Sequence, residues 1–578
     1  MTETPNPFPA VDPITLEVVK NALASTADEM ALVIMRSAYS PVVRDTMDYS
    51  TALCDRNGRV VAQGLTLAVQ LGTFPTVMAY VLEEFGSTAK PGDIYIANDP
   101  YGCGGQHLPD LYVIQPIFVA GTLEGYAATM AHHSDVGGIA PGSIAVHATE
   151  IYQEGLRIPL SKLYDGGVEN ATLFRLIEAN TRQPIHVLGD LRAQLAACRV
   201  GERGLTALLG RYGPDAHVYM DELQRVAERI MRAEISRLPD GVHTFTDYID
   251  GVGDEPVPIP ICVRVEIAGD EVLISFEGTS PQIDASVNCP VGMVRAACYC
   301  AIRGIIGVEI PNCEGYMTPI RIDAPVGTVV NPVLPAACGA RGVIGYRVYD
   351  ALMGALAPLI PERVLAAGEG GPTLIAFGGY DEERRPFGTT EVLVGTWGAR
   401  ATRDGLEGVS NPLANLGNQP VELLEADIPL EVEQYGLVPD SGGAGRQRGG
   451  LAYVRAFRVR TPRATLTIRT DRRAHPPYGL EGGQHGAPSS NAVISGDASR
   501  ELPTMPMEAS TLVEGDRFIH VSAGGGGFGH AFDREPTAVL DDVLDGKVSV
   551  AAARESYGVV VEDGRVDVEA TSAARSAP

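Results

Sequence analysis

Features that would place a protein in a membrane or on a nucleic acid are scarce in this 578-residue sequence. No apolar run approaches the roughly 20 residues needed to span a bilayer, which argues against a membrane protein. Basic residues number 45 against 72 acidic ones, and the formal charge of −27 disfavours nucleic acid and anionic membranes as partners. The nine cysteines form no CxxC pair, and the first residues lack the basic and apolar stretches of a secretory signal. We therefore expect a cytoplasmic protein.

Two common catalytic motifs are also missing. The sequence has no GxxxxGK[ST] phosphate-binding loop and no GxSxG turn that would present a nucleophilic serine. A dinucleotide-like pattern is present at Gly524, Gly526 and Gly529, directly after an apolar strand. It is followed by His530-Ala-Phe-Asp-Arg-Glu-Pro, which does not open an apolar helix. We interpret these glycines as a turn for close backbone packing.

The stretch from Asp93 to Gly138 is the richest in residues that carry chemistry. Its pattern predicts short strands joined by glycine-bearing loops, at 93–97, 111–118 and 125–130. The glycines let the backbone pass close to a ligand. His107 and Asp110 stand directly after the first glycine bend, and His132 comes from the far end of the following hairpin.

Two imidazoles and a carboxylate at the ends of neighbouring strands commonly build a three-ligand metal site with open positions. Because side chains alternate along a strand, His132 and His133 point opposite ways, so only one of them is expected to bind. The residues alone leave an alternative open, in which His107, Asp110 and His132 are loop residues satisfied by hydrogen bonds.

Two other polar segments have more than one interpretation. Asp48 opens the first strand of a hairpin that turns at Asn57-Gly58. A carboxylate there is usually a cap or turn residue, and it gains interest if the strand lies beside the metal loop. A basic turn runs from Arg469 to His475. Surface ion pairing is the favoured role for it, and binding of an anionic group is the alternative.

The fold class predicted from the element pattern is α+β. We expect a multi-domain mixed α/β protein with a hairpin-rich metal-site domain, a helical segment and a β-rich C-terminal half. The predicted regions are an N-terminal α/β metal-site domain (1–165), a helical segment (166–240), an α/β middle domain (241–365), a β-rich C-terminal domain (366–535) and a helical tail with a disordered end (536–578).

A series of spaced motifs resembles the hydantoinase B/5-oxoprolinase family over nearly the whole chain. The motifs include Asn98-Asp-Pro-Tyr…Gly105-x-His107-Leu-Pro-Asp110, Ala131-His-His-x-Asp135-Val-Gly-Gly, Glu154-Gly-Leu-Arg-Ile-Pro and the closing Gly524-Gly-Gly-Gly-Phe-Gly. In acetone carboxylase, from the same wider group, manganese is held by a His-x-x-Asp pair and a distant His. The resemblance thus matches His107, Asp110 and His132 to metal ligands. One departure is Gln70, where many members carry His.

The resemblance implies the metal-bearing subunit of an ATP-dependent enzyme, with ATP bound by a larger hydantoinase A-like partner. The leading hypothesis is hydrolysis of a cyclic amide such as a hydantoin, lactam or oxoproline-like ring. The partner would phosphorylate the amide oxygen, and water activated by a divalent Mn or Zn would attack that carbon. Asp48 is the candidate general base or fourth ligand. Glu154, His133 and Asp135 are candidates for orienting the ligands.

Two other functions stay open at this level. The same site could serve an ATP-dependent ketone carboxylase of the acetone or acetophenone type, although such chains are longer than this one. In a third hypothesis the chain is a non-catalytic scaffold for its ATPase partner. The expected substrate is therefore a small cyclic amide or, in the second hypothesis, a ketone.

Overall fold

The computed structural model describes residues 11–371 and 373–576. Residues 1–10, on which the expectation of no secretory signal was based, lie outside these ranges. The described chain is mixed α/β, with a seven-stranded, a five-stranded and two four-stranded sheets and a two-stranded ribbon. This architecture confirms the predicted multi-domain α+β fold. In the described part of the chain, no helix is both long and apolar enough to cross a membrane.

An antiparallel seven-stranded sheet forms the N-terminal part of the molecule. Its strand order is β2-β1-β5-β4-β3-β6-β7. The strands are β1 (Tyr49–Asp55), β2 (Val60–Gln63), β3 (Ile94–Ala97), β4 (Asp110–Val119), β5 (Thr122–His132), β6 (Ser161–Asp165) and β7 (Val168–Glu169). The hairpin β4–β5 lies at its centre, and both of its strands extend beyond the predicted ranges 111–118 and 125–130.

Helices accompany this sheet and follow it in the chain. They are α1 (Pro13–Ser37), α2 (Pro41–Arg44), α3 (Ala68–Leu71), α4 (Phe74–Phe85), α5 (Ala171–Asn180), α6 (Pro184–Tyr212) and α7 (Asp215–Ile235). The first begins where the Asp12 carboxylate accepts the N–H of Thr15, as an N-cap does. Its buried residues Val19, Leu23 and Met30 recur at helical spacing and face the core. The last three helices match the predicted helical segment.

The middle of the chain pairs a four-stranded sheet with two buried helices. Its elements are β8 (Gly241–Ile249), β9 (Ile259–Ala268), β10 (Glu271–Ser275), α8 (Val291–Ile305), β11 (Ile320–Asp323) and α9 (Gly342–Leu356). Every residue of α9 is buried. Its first turn contains Gly342 and Gly345, which are poor helix formers by propensity. In the structure, the Arg469 side chain occupies the space that a Cβ atom on Gly342 would need, and the Met293 side chain occupies that space at Gly345.

The C-terminal half contains two sheets, ordered β13-β12-β16-β19 and β14-β15-β20-β17-β18, and a small tail. The elements are β12 (Thr373–Tyr380), β13 (Pro386–Leu393), α10 (Val421–Asp427), β14 (Leu430–Leu437), β15 (Tyr453–Val459), β16 (Arg463–Arg469), β17 (Ser490–Ser495), β18 (Ala498–Glu501), β19 (Ser510–Val513), β20 (Arg517–Val521), α11 (Pro536–Leu544), α12 (Val550–Tyr557), β21 (Val561–Glu562), β22 (Arg565–Val566) and α13 (Val568–Ser576).

The glycine run 524–527 passes between neighbouring backbone segments. Gly526 donates its N–H to the carbonyl of Ala367 and accepts the N–H of Ala399. A Cβ on Gly526 would lie 2.0 Å from the carbonyl oxygen of Tyr478, and the neighbouring glycines are similarly enclosed. Only glycine allows backbones to approach this closely. The arrangement agrees with the interpretation of the motif as close backbone packing.

The prediction of a disordered chain end is wrong for residues 568–576, which form α13. The Asp567 carboxylate accepts the N–H of Ala570 at 2.9 Å and caps the helix. Arg575 donates to the backbone carbonyls of Tyr557 and Arg534. These tertiary bonds hold a segment whose Ala- and Ser-rich composition gives no sign of them. Residues 577–578 lie outside the described chain.

One buried apolar cluster joins four of the predicted regions. Its members include Leu67 from the N-terminal region, Met231 from the helical segment, Val294 from the middle and Leu374 from the C-terminal half. The predicted boundaries between the regions stay predictions. The shared core nevertheless explains how residues far apart in sequence come together at the candidate site.

Candidate metal centre

The β4–β5 hairpin positions two of the three candidate ligands. In its register Asp110 lies directly opposite His132. His107 belongs to the loop before β4, and its carbonyl accepts the N–H of Asp110 at 3.1 Å, which turns the chain back on itself. The exposed fractions of His107, Asp110 and His132 are 0%, 0% and 5%.

The ligand-type atoms of these three residues converge. All lie within 4.8 Å of one another, and Nε2 of His107 is 3.1 Å from Oδ1 of Asp110. Among the described residues, no hydrogen-bond partner serves Nε2 of His107, Oδ1 of Asp110 or Nδ1 of His132. Buried polar atoms without hydrogen-bonding partners are rare and costly, so a cluster of residues that carries three of them calls for another group. The residues present therefore fit a divalent cation, and the geometry argues against the alternative of satisfied loop residues.

Groups on the far side of two candidate ligands fix their orientation. Nδ1 of His107 lies 3.1 Å from the carbonyl oxygen of Gly339. Arg341 donates to Oδ2 of Asp110 at 2.6 Å and to Oε1 of Gln106 at 3.0 Å. Hydrogen bonds of this kind orient ligands in metal sites generally. Sequence patterns do not reveal Gly339 and Arg341, because these residues are 232 and 231 positions from their partners His107 and Asp110.

The Glu154 carboxylate supports the loop that contains Gly339. Its Oε1 accepts the N–H groups of Cys338 at 2.9 Å and Gly339 at 2.6 Å. It thereby holds Gly339, whose carbonyl faces His107. Burial raises the pKa of Glu154 to about 8. The predicted orienting role of Glu154 would thus act through the backbone, and it stays a prediction.

The structure does not bring His133 and Asp135 to the cluster. Nε2 of His133 lies 3.0 Å from Oε1 of Gln194, on the opposite face of β5, as strand alternation requires. Burial lowers the pKa of His133. The Asp135 carboxylate accepts from the Gly137 backbone N–H and from Arg182, and so fixes its own loop. Among described residues, the side-chain hydrogen bonds of both go to groups other than the three candidate ligands.

Asp48 lies beside the cluster. Its carbonyl accepts the N–H of His132 at 2.9 Å. Its carboxylate accepts from the amide of Gln70, whose own Oε1 accepts from the Ser50 hydroxyl at 2.7 Å. Burial, with a contribution from the negative charge of Asp110, raises the pKa of Asp48 to about 7. A carboxyl group with that pKa can exchange a proton at neutral pH.

The protonation states of the three candidate ligands suit cation binding. Burial, aided by the nearby charge of Arg341, lowers the pKa of His107 to about 4. Burial and His107 together lower the pKa of His132 to about 3. Burial alone would raise the pKa of Asp110, but His107 and Arg341 outweigh it and hold that pKa well below its usual range. Two neutral imidazoles and an ionised carboxylate are the forms that metals bind.

A small cavity of about 40 Å³ adjoins this cluster. His132, Asp48, Arg341 and Arg469 line it together with apolar side chains. Of the three candidate ligands, His132 is among the residues that line it.

The basic turn that contributes Arg469 differs from the expectation of surface ion pairing. Arg469 is 4% exposed and Arg472 is fully buried, so that expectation is wrong for these two residues. Arg472 pairs with Asp247 at 3.1 Å and Asp350 at 2.5 Å. The shared core encloses the turn, which a local basic pattern does not reveal.

Comparisons with known proteins agree with this architecture. A sequence model of the family described as hydantoinase B/oxoprolinase matches residues 12–531. Caprolactamase subunit beta of Pseudomonas jessenii is 33% identical over 587 residues, which cover 98% of this chain and 99% of that protein. The crystal structure of the ATP-dependent caprolactamase from that organism has a TM-score of 0.90 at 31% identity, covering 98% of this chain and 100% of that one. The nucleotide-free structure of acetone carboxylase has a TM-score of 0.88 at 20% identity, covering 98% and 82%, and shows likeness of fold alone.

Proposed function

This chain belongs to the hydantoinase B/oxoprolinase family, and from that premise we propose that it is the metal-bearing subunit of an ATP-dependent cyclic-amide hydrolase. The observation that carries the proposal is the convergence of ligand-type atoms of His107, Asp110 and His132, three buried residues beside a cavity. Likeness to a caprolactamase subunit over the full chain supports a lactam-type substrate. A hydantoinase A-like subunit that binds ATP is the proposed partner.

In this proposal His107, Asp110 and His132 hold a divalent cation, manganese or zinc. When bound, such a cation supplies Lewis acidity that lowers the pKa of a water molecule. Asp48 accepts the proton released by the attacking water, because its carboxyl group lines the cavity beside His132. Gln70 holds the Asp48 carboxylate in place through its side-chain amide.

The remaining residues position and shield the reaction. An unstrained amide carbonyl is a poor electrophile, and phosphorylation of its oxygen by the partner makes its carbon easier to attack. Addition of water then forms a C–O bond, the ring C–N bond breaks as the nitrogen takes up a proton, and a second water releases phosphate from the resulting acyl phosphate. Arg341 keeps Asp110 ionised and oriented. Apolar side chains such as Ile144 and Met293 line the cavity beside His132 and exclude bulk water from the activated ring.

Two adjacent histidines provide a matched test. His132→Ala should abolish stoichiometric metal binding, because it removes a ligand from a three-residue site. His133→Ala should retain the metal, since the His133 ring faces Gln194, and should only lower the free energy of unfolding by about 1–3 kcal/mol. Metal content after dialysis, measured by mass spectrometry, gives the comparison.

Turnover is measured after reconstitution with the ATP-binding partner. The expected result is ATP-dependent opening of a lactam or hydantoin ring by the native chain and its loss in His132→Ala. Full turnover by the metal-free variant would favour a scaffold role instead. Incorporation of labelled bicarbonate into a ketone would refute the hydrolase and support a carboxylase.

A further inference from the structure

The cavity beside the candidate metal centre borders the start of α9. Arg341, the N-cap residue, and Gly342, the first residue of the helix, both line it. The guanidinium of Arg469 reaches this point from β16, with its atoms 3.3–3.5 Å from where a Cβ on Gly342 would lie. The N-terminus of a helix carries partial positive charge, which adds to the charge of both arginines.

A second observation points to a missing acceptor. Arg341 is 8% exposed, and Nε of its guanidinium has no hydrogen-bond partner among the described residues. Its Nη2 donates to Asp110 and Gln106. A buried donor left unsatisfied is costly, so a bound group with a lone pair would stabilise this arrangement.

Two guanidiniums, of Arg341 and Arg469, and one carboxyl group, of Asp48, line the cavity. Arg341 also pairs with Asp110 at 2.6 Å, and the charge of Glu369 acts on Arg469. Burial, with the like charge of Arg341, lowers the pKa of Arg469 to about 10, which still leaves it charged at neutral pH. An anion placed between the two arginines would relieve their repulsion.

We propose that this cavity binds an oxyanion, a carboxylate or a phosphoryl group, carried by the small substrate and held chiefly by Arg469. This inference rests on the proposed function, because the cyclic amide is the molecule that carries the oxyanion. A cavity of about 40 Å³ holds about three water molecules by this measure, which is the size of one such group.

Either oxyanion has a chemical source in the proposed reaction. A carboxylate would be a permanent substituent of the ring, as on an oxoproline-like substrate. A phosphoryl group would be added to the amide oxygen in the ATP-dependent step. A guanidinium recognises both by paired, charge-assisted hydrogen bonds. The experiment therefore separates the two sources.

Substitution at Arg469 tests the subsite without touching the contacts of Asp110. Binding of inorganic phosphate and of acetate to the full-length, metal-loaded chain is measured by calorimetry. Arg469→Gln should weaken phosphate binding by about 10- to 100-fold, the usual effect of losing a hydrogen bond to a charged group. Arg463→Gln is the matched control, because Arg463 is the exposed residue at the other end of the same strand, β16. It should bind phosphate as the native chain does.

A conservative variant covers the case in which Arg469→Gln does not fold. Arg469→Lys keeps the charge but loses the paired geometry, so its phosphate affinity should fall between those of the native chain and Arg469→Gln. Equal phosphate affinity in the native chain and every folded Arg469 variant would overturn the proposal.

Kinetics with two rings of equal size, one with a carboxylate and one without, identify the source. A loss of kcat/KM in Arg469→Gln for the carboxylate-bearing ring alone would assign the subsite to the substrate carboxylate. An equal loss for both rings would assign it to the phosphoryl group. Unchanged phosphate binding together with normal ATP-dependent ring opening would refute the subsite and leave the proposed function intact. Metal-independent turnover in His132→Ala would instead refute the proposed function.

Discussion

Adding one methyl group at Gly526 should destabilise the C-terminal half severely. The Cβ of Gly526→Ala would stand 2.0 Å from the Tyr478 carbonyl oxygen, and an ordinary contact begins at 3.4 Å. The obstacle is backbone, which cannot rotate away as a side chain can. The two segments must therefore separate by about 1.4 Å, the difference between these distances.

The cost has two parts. Overpacking of a buried site costs about 1–3 kcal/mol. The separation also strains the bonds of Gly526 to Ala367 and Ala399, which are 2.9 and 2.8 Å long, and each costs about 1 kcal/mol or more if broken in the interior. We therefore expect the free energy of unfolding to fall by about 3–5 kcal/mol.

The single tryptophan provides the assay. Trp397 lies at this glycine run, where its carbonyl oxygen is 2.2 Å from a Cβ position on Gly525. Its fluorescence during urea unfolding therefore reports on this region. Gly436→Ala is the control, because no atom lies within 4 Å of that Cβ, and its effect should stay within about 0.5 kcal/mol. Equal unfolding midpoints for the two variants would refute the close-packing explanation.

Two further predictions concern buried carboxyl groups. Burial raises the pKa of Glu369 to about 8 from an ordinary 4.5, so the folded chain keeps a proton that the unfolded chain releases. Its contribution to the free energy of unfolding therefore falls by about 1.4 kcal/mol per pH unit as the pH rises from the unfolded pKa to the folded one. Glu369→Gln should remove this pH dependence, which urea unfolding across about pH 5–8 would measure. Glu154→Ala should leave the N–H groups of Cys338 and Gly339 without an acceptor, costing about 2–4 kcal/mol and weakening metal retention against a chelator. Glu154→Gln keeps the acceptor oxygen and should behave nearly as the native chain; if both variants lose stability equally, these bonds are not the cause.

The part of the candidate site that could be predicted is the part that is local in sequence. The three-residue spacing of His107 and Asp110 and the hairpin that returns at His132 are both visible in the sequence, and the structure brings these residues together. Alternation along β5 also separated His132 from His133 correctly. Periodicity predicts long amphipathic helices such as α1 for the same reason, since it depends on near neighbours.

The parts that escaped prediction depend on distant partners. Gly339 and Arg341 reach His107 and Asp110 across 232 and 231 residues of sequence, and no local pattern announces that contact. The burial of Arg472 depends on acids far away in the chain, such as Asp247. Composition records neither kind of partner, which is why a basic turn was expected at the surface.

The long separation between Asp110 and Arg341 has a consequence for biosynthesis. Asp110 is synthesised 231 residues before Arg341, whose guanidinium pairs with its carboxylate, and both imidazoles also precede that arginine in the chain. A nascent chain therefore carries every candidate ligand before it has the groups that aim them. An N-terminal fragment that ends before residue 336 would also lack Gly339 and Arg341, so it would not reproduce the candidate site of the whole protein.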